Sequence, residues 1–166
     1  MNGYLIFILA LLVFSRLLSF IVARLNLSNL STDIPEEFRG VYDEEKYAKS
    51  QNYLRDNTRF SELQSNLMLP LMIAFILLGG FRWVNGIAQA ASPHMIVQGL
   101  VFGAVLMLLS QIIGLPFSIY HTFVIEEKYG FNKTTAKTFI LDILKGWLLT
   151  ALLGAPIFAL ILWIFD

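Results

Sequence analysis

Cysteine is absent from this 166-residue chain, and charged side chains are scarce. Without cysteine, the chain can form no disulfide, thiolate metal site or thiol nucleophile. Charged residues make up 14% of the sequence, whereas soluble domains carry about 25%. Apolar residues make up 57%, and this composition is typical of a membrane protein. Acidic residues accompany every basic cluster and the formal net charge is zero, so we expect no nucleic-acid partner.

Four long apolar runs follow one another along the chain, and each has about the length that a helix needs to cross a lipid bilayer. They cover residues 4–23, 67–84, 95–120 and 146–165. Two longer polar segments, residues 24–64 and 121–145, separate the first run from the second and the third from the fourth. The sequence therefore predicts an all-α fold. We expect one domain over residues 1–166, a polytopic membrane helix bundle with four transmembrane helices, helical loops and the lipid bilayer as its partner.

Basic residues are distributed unevenly. Ten of the twelve lie in the polar segments 24–64 and 121–145, and only Arg16 and Arg82 lie elsewhere. The positive-inside rule makes both segments cytoplasmic. Four spans return the chain to the side on which it began, so both termini are predicted on the non-cytoplasmic side. We expect an integral multi-pass protein of the bacterial inner membrane or the endoplasmic reticulum.

The first polar segment carries local signals for two helices. Asp33 and Glu36 have the spacing of a capping box, and Gly40 then interrupts the helical pattern. Asp43 can cap a second helix, and no proline or glycine occurs between Gly40 and Pro70. That helix is therefore predicted to run directly into the second span, whose end Arg82 would anchor at the membrane interface.

Other local signals lie in the second half of the chain. Thr134 or Thr135 can cap a helix that leads into the fourth span. Pro116 predicts a kink or local unwinding near the end of the third span, and Gly154 with Pro156 predicts a bend in the fourth.

Four polar residues lie within the apolar runs: Arg16, Gln98, Ser110 and Gln111. Such side chains are expected to face other helices or a water-filled cavity rather than lipid. For Arg16 two interpretations stay open. It is either a functional group, or a side chain that extends to the interface or pairs inside the bundle.

Groups that could perform hydrolysis do not converge in the sequence. His94 and His121 flank the third span and should lie at opposite membrane faces, and no H-E-x-x-H sequence is present. Ser118 precedes His121 by three residues, but a serine and a histidine without a third, orienting group are weak support for a nucleophile. Adjacent glutamates such as Glu126 and Glu127 are more often solvated than catalytic. We therefore predict no catalytic, cofactor-binding or metal-binding residue in this chain.

Two stretches resemble a known family. They are PEEFRGVYDEEKYAKSQNYLRDNTRF (Pro35–Phe60) and LPFSIYHTFVIEEKYGFNKTT (Leu115–Thr135). Both are similar to the N-terminal membrane domain of type I CAAX prenyl proteases, integral-membrane zinc endopeptidases of the M48 class. The resemblance implies seven spans around a water-filled chamber, closed by H-E-x-x-H and a downstream glutamate ligand. Members of the family remove the last three residues of prenylated CAAX sequences, and bacterial relatives act in membrane-protein quality control.

The sequence ends after the fourth predicted span, so the zinc-binding part of such a protease has no counterpart in it. The resemblance then implies part of the chamber wall. We expect this chain to hold no cofactor and to be inactive alone, with zinc bound only by the missing catalytic portion. The implied partners are a catalytic M48 portion in trans and, for the full-length family, prenylated or membrane protein substrates.

A second hypothesis is a small self-contained membrane protein that binds a partner or lipid as a scaffold, or forms an oligomeric pore. Gly99 and Gly103, four residues apart, form a small-residue face that allows close approach of another helix. The intramembrane polar residues also fit this alternative.

Overall fold

A computed structural model describes residues 2–165 of the chain. It contains six α-helices: α1 (Gly3–Ser28), α2 (Glu44–Leu77), α3 (Gly80–Ala91), α4 (Met95–Tyr120), α5 (Ala136–Leu149) and α6 (Ala155–Phe165). A 3₁₀ turn covers Glu36–Phe38, and π-helical turns cover His121–Glu126 and Thr150–Gly154. Within this described range, four continuous helical stretches have the length and apolar composition of a membrane span. The all-α fold with four spans is therefore confirmed.

The contacts divide the chain into two units. Residues 1–74 and 119–132 form unit 1, and residues 75–118 and 133–166 form unit 2. Unit 1 contains α1, most of α2 and the segment after α4. Unit 2 contains α3, most of α4, and α5 with α6.

Helix α2 begins and continues as the sequence predicts. Asp43 Oδ1 accepts a 2.9 Å hydrogen bond from the backbone N–H of Lys46, which satisfies one of the free donors at the helix start. The helix then runs for 34 residues with Pro70 inside it. The polar segment and the second span therefore share one helix.

The capping box predicted at Asp33 and Glu36 is wrong. Only the short 3₁₀ turn Glu36–Phe38 forms there, its cap residue is Pro35, and no side chain caps it. Gly40 has a φ of +84°, a left-handed conformation that glycine adopts without steric cost. The chain therefore turns before a regular helix can form.

The apolar run at 67–84 is divided between two helices: its first part belongs to the spanning helix α2 and its last part to α3. Helix α2 ends at Leu77, and Gly79 has a φ of +79° before α3 begins at Gly80. A left-handed glycine commonly ends a helix. Helix α3 buries Val84 and Ala88, which are four residues apart and so lie on the same face.

The third and fourth spans contain π-helical turns. Helix α4 begins and ends where the apolar run does and includes Pro116, and its irregular turn, His121–Glu126, comes after that proline. In the fourth span the π-turn Thr150–Gly154 directly precedes Pro156, in the region of the predicted bend. Proline lacks the backbone N–H of a regular helix, and its ring displaces the carbonyl four residues earlier, which for Pro156 is that of Leu152 inside the π-turn. The turn His121–Glu126 lies after Pro116, so this effect does not explain it. Thr135 Oγ1 accepts a hydrogen bond from the N–H of Thr138 and caps α5, as predicted.

Candidate functional site: the polar faces of helix α2

Within unit 1, the polar half of α2 presents one face to the segment that follows α4. Tyr53, Asp56, Asn57 and Phe60 have helical spacings of three and four residues and share that face. Each of them contacts a residue between 120 and 131. The two polar segments of the sequence therefore meet along α2.

Asp56 is the centre of this contact. Its Oδ2 atom accepts a 2.6 Å hydrogen bond from Lys128 Nζ and a 2.7 Å hydrogen bond from the Tyr129 hydroxyl. We call Asp56, Lys128 and Tyr129 the joint. Hydrogen bonds to an ionised carboxylate are shorter and stronger than neutral ones, so the joint ties the loop after α4 firmly to α2.

The two loop residues of the joint differ in burial. Tyr129 is 7% exposed, and this burial, together with its hydrogen bond to Asp56, raises the pKa of the Tyr129 hydroxyl. The Lys128 side chain is 62% exposed. Its hydrogen bond to Asp56 raises the pKa of the Lys128 ammonium. Both groups therefore stay protonated, and each donates a hydrogen bond to the Asp56 carboxylate.

Aromatic side chains surround the joint. Tyr53 lies edge-on to Tyr129 and to Phe131, with ring centroids 5.4 and 4.9 Å apart. Edge-to-face pairs at such distances stabilise beyond the area that they bury. Lys49 Nζ lies 5.6 Å from the centre of the Phe131 ring, within range of a cation–π interaction.

A glycine turn places these aromatic rings. The N–H of Phe131 bonds to the carbonyl of Glu126 at 2.9 Å, and the N–H of Gly130 bonds to the carbonyl of Glu127 at 3.0 Å. With Gly130 at a φ of +69°, this is the Schellman pattern that ends helices. The Tyr-Gly-Phe sequence therefore stops the helix so that both rings turn back toward Tyr53.

His121 lies in the π-turn and contacts α2. Its Nε2 atom is 2.9 Å from Asn57 Oδ1, and since an amide oxygen only accepts, the imidazole donates. Its Nδ1 atom lies 3.6 Å from Glu126 Oε1. The polar partners of the His121 ring are thus Asn57 and Glu126, and not Ser118, the serine three residues before it. π-Turns often occur at functional sites, and here the turn places His121 against α2.

Another face of α2 contacts α1. Arg16 donates to both carboxylate oxygens of Glu62, at 2.9 and 2.7 Å, and to Asn66 Oδ1 at 2.9 Å. The exposed fractions of the Arg16 and Glu62 side chains are 13% and 18%. The structure shows Arg16 paired with α2, and a functional role for Arg16 stays a prediction. Neither Glu62 nor Asn66 was singled out from the sequence.

The remaining intramembrane polar residues lie on α4. Gln98 Nε2 donates a 2.9 Å hydrogen bond to the carbonyl of Ser92, so it closes the connection between α3 and α4. Ser110 is exposed on the helix and Gln111 is half-buried. That these two face a water-filled cavity stays a prediction.

The small-residue face of α4 packs within the chain. In unit 2, a Cβ added at Gly99 would overlap Leu162 Cδ1, and one added at Gly103 would lie 3.2 Å from Phe158 Cε1. Close helix approach at these glycines is therefore confirmed, with α6 as the partner. The hypothesis of an oligomeric pore loses the support of this face, because α6 already occupies it.

A zinc ion would need at least three protein ligands. Across residues 2–165, no three histidine, aspartate or glutamate side chains come together in a way that could hold a metal ion. The side chains of residues 2–165 therefore do not fit zinc. The prediction that this chain holds no catalytic, cofactor-binding or metal-binding residue stays a prediction.

Comparison with known proteins identifies relatives of this chain. Residues 23–166 match the family model described as CAAX prenyl protease N-terminal, five membrane helices. The chain is 37% identical over 138 residues to a CAAX prenyl protease 1 homolog of Arabidopsis thaliana, covering 79% of this chain and 32% of the relative. It is 33% identical over 141 residues to a CAAX prenyl protease 1 homolog of Homo sapiens, covering 81% of this chain and 30% of the relative.

A solved structure is also similar. The crystal structure of S. mikatae Ste24p matches all of this chain and 40% of its own, with a TM-score of 0.91 and 31% identity. The chain spans about a third of the length of the curated relatives that it matches. The family description gives five membrane helices, whereas residues 2–165 contain four stretches of spanning length.

Proposed function

This chain belongs to the family of CAAX prenyl protease N-terminal domains, and from that premise we propose that it is the membrane scaffold of a zinc metalloendopeptidase. The supporting observation is the likeness to Ste24p over the whole chain, at a TM-score of 0.91 and 31% identity. The scaffold would form part of the chamber wall, and residues outside this sequence would hold zinc and cleave the peptide bond.

In this scaffold the proposed role of the joint is to hold the loop after α4 in place. Asp56 fixes the loop Glu126–Asn132 against α2 through Lys128 and Tyr129. In the proposed protease this loop lies at the cytoplasmic rim of the chamber, where the tail of a substrate enters. A loop held by two charge-assisted bonds would keep that entrance in one shape.

The orientation in the membrane is part of the proposal. The polar segments 24–64 and 121–145 carry ten of the twelve basic residues, and residues from both of them form the joint. The positive-inside rule then favours a cytoplasmic location for the joint and a non-cytoplasmic location for both termini. The relatives are named as CAAX prenyl proteases, so the proposed substrates of the complete enzyme are prenylated proteins.

A chimera tests the proposed function. The matched 40% of S. mikatae Ste24p is replaced by this chain, and cleavage of a farnesylated CAAX peptide is measured together with bound zinc. We expect a zinc-loaded chimera that cleaves the peptide, and no cleavage when the glutamate of H-E-x-x-H is changed to glutamine. A folded, zinc-loaded chimera without activity would contradict the proposal.

Two further measurements complete the test. This chain alone is expected to show neither stoichiometric zinc nor EDTA-sensitive cleavage, and either would overturn the scaffold role. If the chimera does not fold, the chain is co-expressed with the remaining part of Ste24p. Co-purification of the two pieces supports the proposal, and failure to associate contradicts it.

A further inference from the structure

Apolar side chains are exposed in the acidic segment between α1 and α2. The exposed fractions of Phe38, Val41 and Tyr42 are 47%, 73% and 58%. They lie between residue 33 and the start of α2, where the sequence is highly charged. An exposed apolar patch rimmed by charged residues is typical of an interaction site.

A tight turn presents these side chains. Arg39 has φ −61° and ψ 131°, Gly40 has a φ of +84°, and the N–H of Val41 bonds to the carbonyl of Phe38 at 3.2 Å. These values define a type II turn, which needs glycine at its third position. The turn brings the rings of Phe38 and Tyr42 to a centroid distance of 6.2 Å, edge to face.

The turn and the start of α2 enclose a groove of about 710 Å³. Its apolar lining consists of Ile34, Pro35, Phe38, Val41, Tyr42 and Tyr47, and the charged residues of its lining are Asp43 and Lys46. Ile34 is only 6% exposed, so it is the buried part of the groove lining, and it belongs to the same unit. A volume in this range accommodates apolar side chains of a bound molecule. We call this site the acidic groove.

The segment that carries the acidic groove is strongly negative in charge, and of its carboxylates Asp43 lines the groove itself. Six carboxylates and two basic side chains occur between residues 33 and 46; the carboxylates are Asp33, Glu36, Glu37, Asp43, Glu44 and Glu45. One of the two cations, Arg39, lies 3.6 Å from Glu36 and is already paired. An anionic membrane surface would repel this rim, whereas a basic segment would be attracted to it.

We propose that the acidic groove binds a cationic peptide segment that also carries apolar side chains. The apolar side chains would occupy the groove beside Phe38 and Tyr42, and the basic side chains would lie along the glutamates of the rim. Burial of apolar area supplies affinity, and the complementary charge supplies selectivity and a dependence on salt. This inference does not depend on the proposed function, because it needs neither zinc nor a catalytic portion.

Peptide binding to the full chain in phosphatidylcholine nanodiscs tests the inference. The probe is a fluorescein-labelled eight-residue peptide of alternating lysine and leucine, followed by fluorescence anisotropy. We expect tighter binding to protein-containing nanodiscs than to empty ones, with affinity that falls as salt rises. Replacing every lysine of the peptide with glutamate, or every leucine with serine, should each abolish detectable binding.

Two groups of variants locate the site. The double variant Phe38→Ala/Tyr42→Ala and the quadruple variant Glu36→Gln/Glu37→Gln/Glu44→Gln/Glu45→Gln should each weaken binding about ten-fold or more. Asp142→Asn is the matched control, because Asp142 is an exposed carboxylate on α5 outside the groove, and its affinity should not change.

Three outcomes would overturn the inference: equal binding to empty nanodiscs, which indicates lipid as the receptor; equal binding of the glutamate peptide; or unchanged affinity in both groups of variants. Helix content from circular dichroism confirms that each variant is folded. If the aromatic double variant does not fold, the charge variant alone decides, since its four side chains are exposed.

Discussion

Asp56 and Tyr129 are separated by 73 positions in the sequence, yet the Tyr129 hydroxyl donates a 2.7 Å hydrogen bond to Asp56 Oδ2. The same oxygen accepts a hydrogen bond from Lys128 at 2.6 Å. Because Tyr129 is only 7% exposed, loss of the carboxylate would leave a buried hydroxyl without its acceptor. The joint is therefore a contact through which the two polar segments depend on each other, beside the His121–Asn57 and Tyr53–Phe131 contacts.

Changing Asp56→Ala is expected to lower the free energy of unfolding by about 1–3 kcal/mol, the usual cost of leaving a buried donor unsatisfied. Tyr129→Phe removes only the hydroxyl and should cost about 1 kcal/mol. Lys128→Ala is the control, and it should cost less because its side chain is 62% exposed. Thermal unfolding of the detergent-solubilised chain measures all three. An equal effect of the Asp56 and Lys128 variants would argue against a central role for the Tyr129 bond.

The joint also predicts a loss of stability at alkaline pH. The folded state raises the pKa values of Tyr129 and Lys128 above their ordinary values of 10.0 and 10.5. Their contribution is thus fully present below pH 10 and is lost as pH rises through the raised values. Absorbance at 295 nm of the wild type minus that of Tyr129→Phe isolates the Tyr129 titration, and its midpoint is expected above 10. A midpoint at or below 10 would show that burial and Asp56 do not hold the proton.

The contributions of Arg16 and Glu62 to stability should be coupled. Changing Arg16→Met alone leaves the partly buried Glu62 carboxylate without its partner, which costs up to about 3–5 kcal/mol, the value for a fully buried pair. The double variant Arg16→Met/Glu62→Met removes both charges, and it should recover most of that loss. Arg82→Met is the control, because Arg82 is exposed on α3. Thermal midpoints in detergent measure the stability of the single and double variants, and a double variant as unstable as the single one would contradict the coupling of Arg16 and Glu62.

Most local signals in the sequence predicted local structure correctly, and the capping box at Asp33 and Glu36 was the exception. Asp43 and Thr135 cap the helices that follow them, and Gly40 adopts the left-handed turn that ends the first helical pattern. The apolar run at 95–120 coincides with α4. These features depend on side chains acting on backbone within a few residues, so the sequence alone shows them.

Contacts between distant residues were not predictable in the same way. Asp56, Asn57 and Glu62 lie in a helix full of charges, and nothing local distinguishes them from solvated residues. Their partners are 73, 64 and 46 positions away. Helix α3 was missed for a different reason. Its first five residues, 80–84, belong to the apolar run, and only Leu78 and the left-handed Gly79 separate α3 from α2.

The glycine face of α4 gives the last prediction. Gly99→Ala places a methyl group against Leu162 Cδ1, and overpacking of this kind costs about 1–3 kcal/mol. Gly103→Ala meets Phe158 Cε1 at 3.2 Å and should have a smaller effect. Gly114→Ala on the same helix has nothing within 4 Å of the added Cβ, so it should be neutral or stabilising by up to about 1 kcal/mol. Thermal midpoints rank the three variants, and cross-linking reports their oligomeric state. If Gly99 instead faced a second copy of the chain, Gly99→Ala would dissociate an oligomer of the wild type and leave the stability of the monomer unchanged.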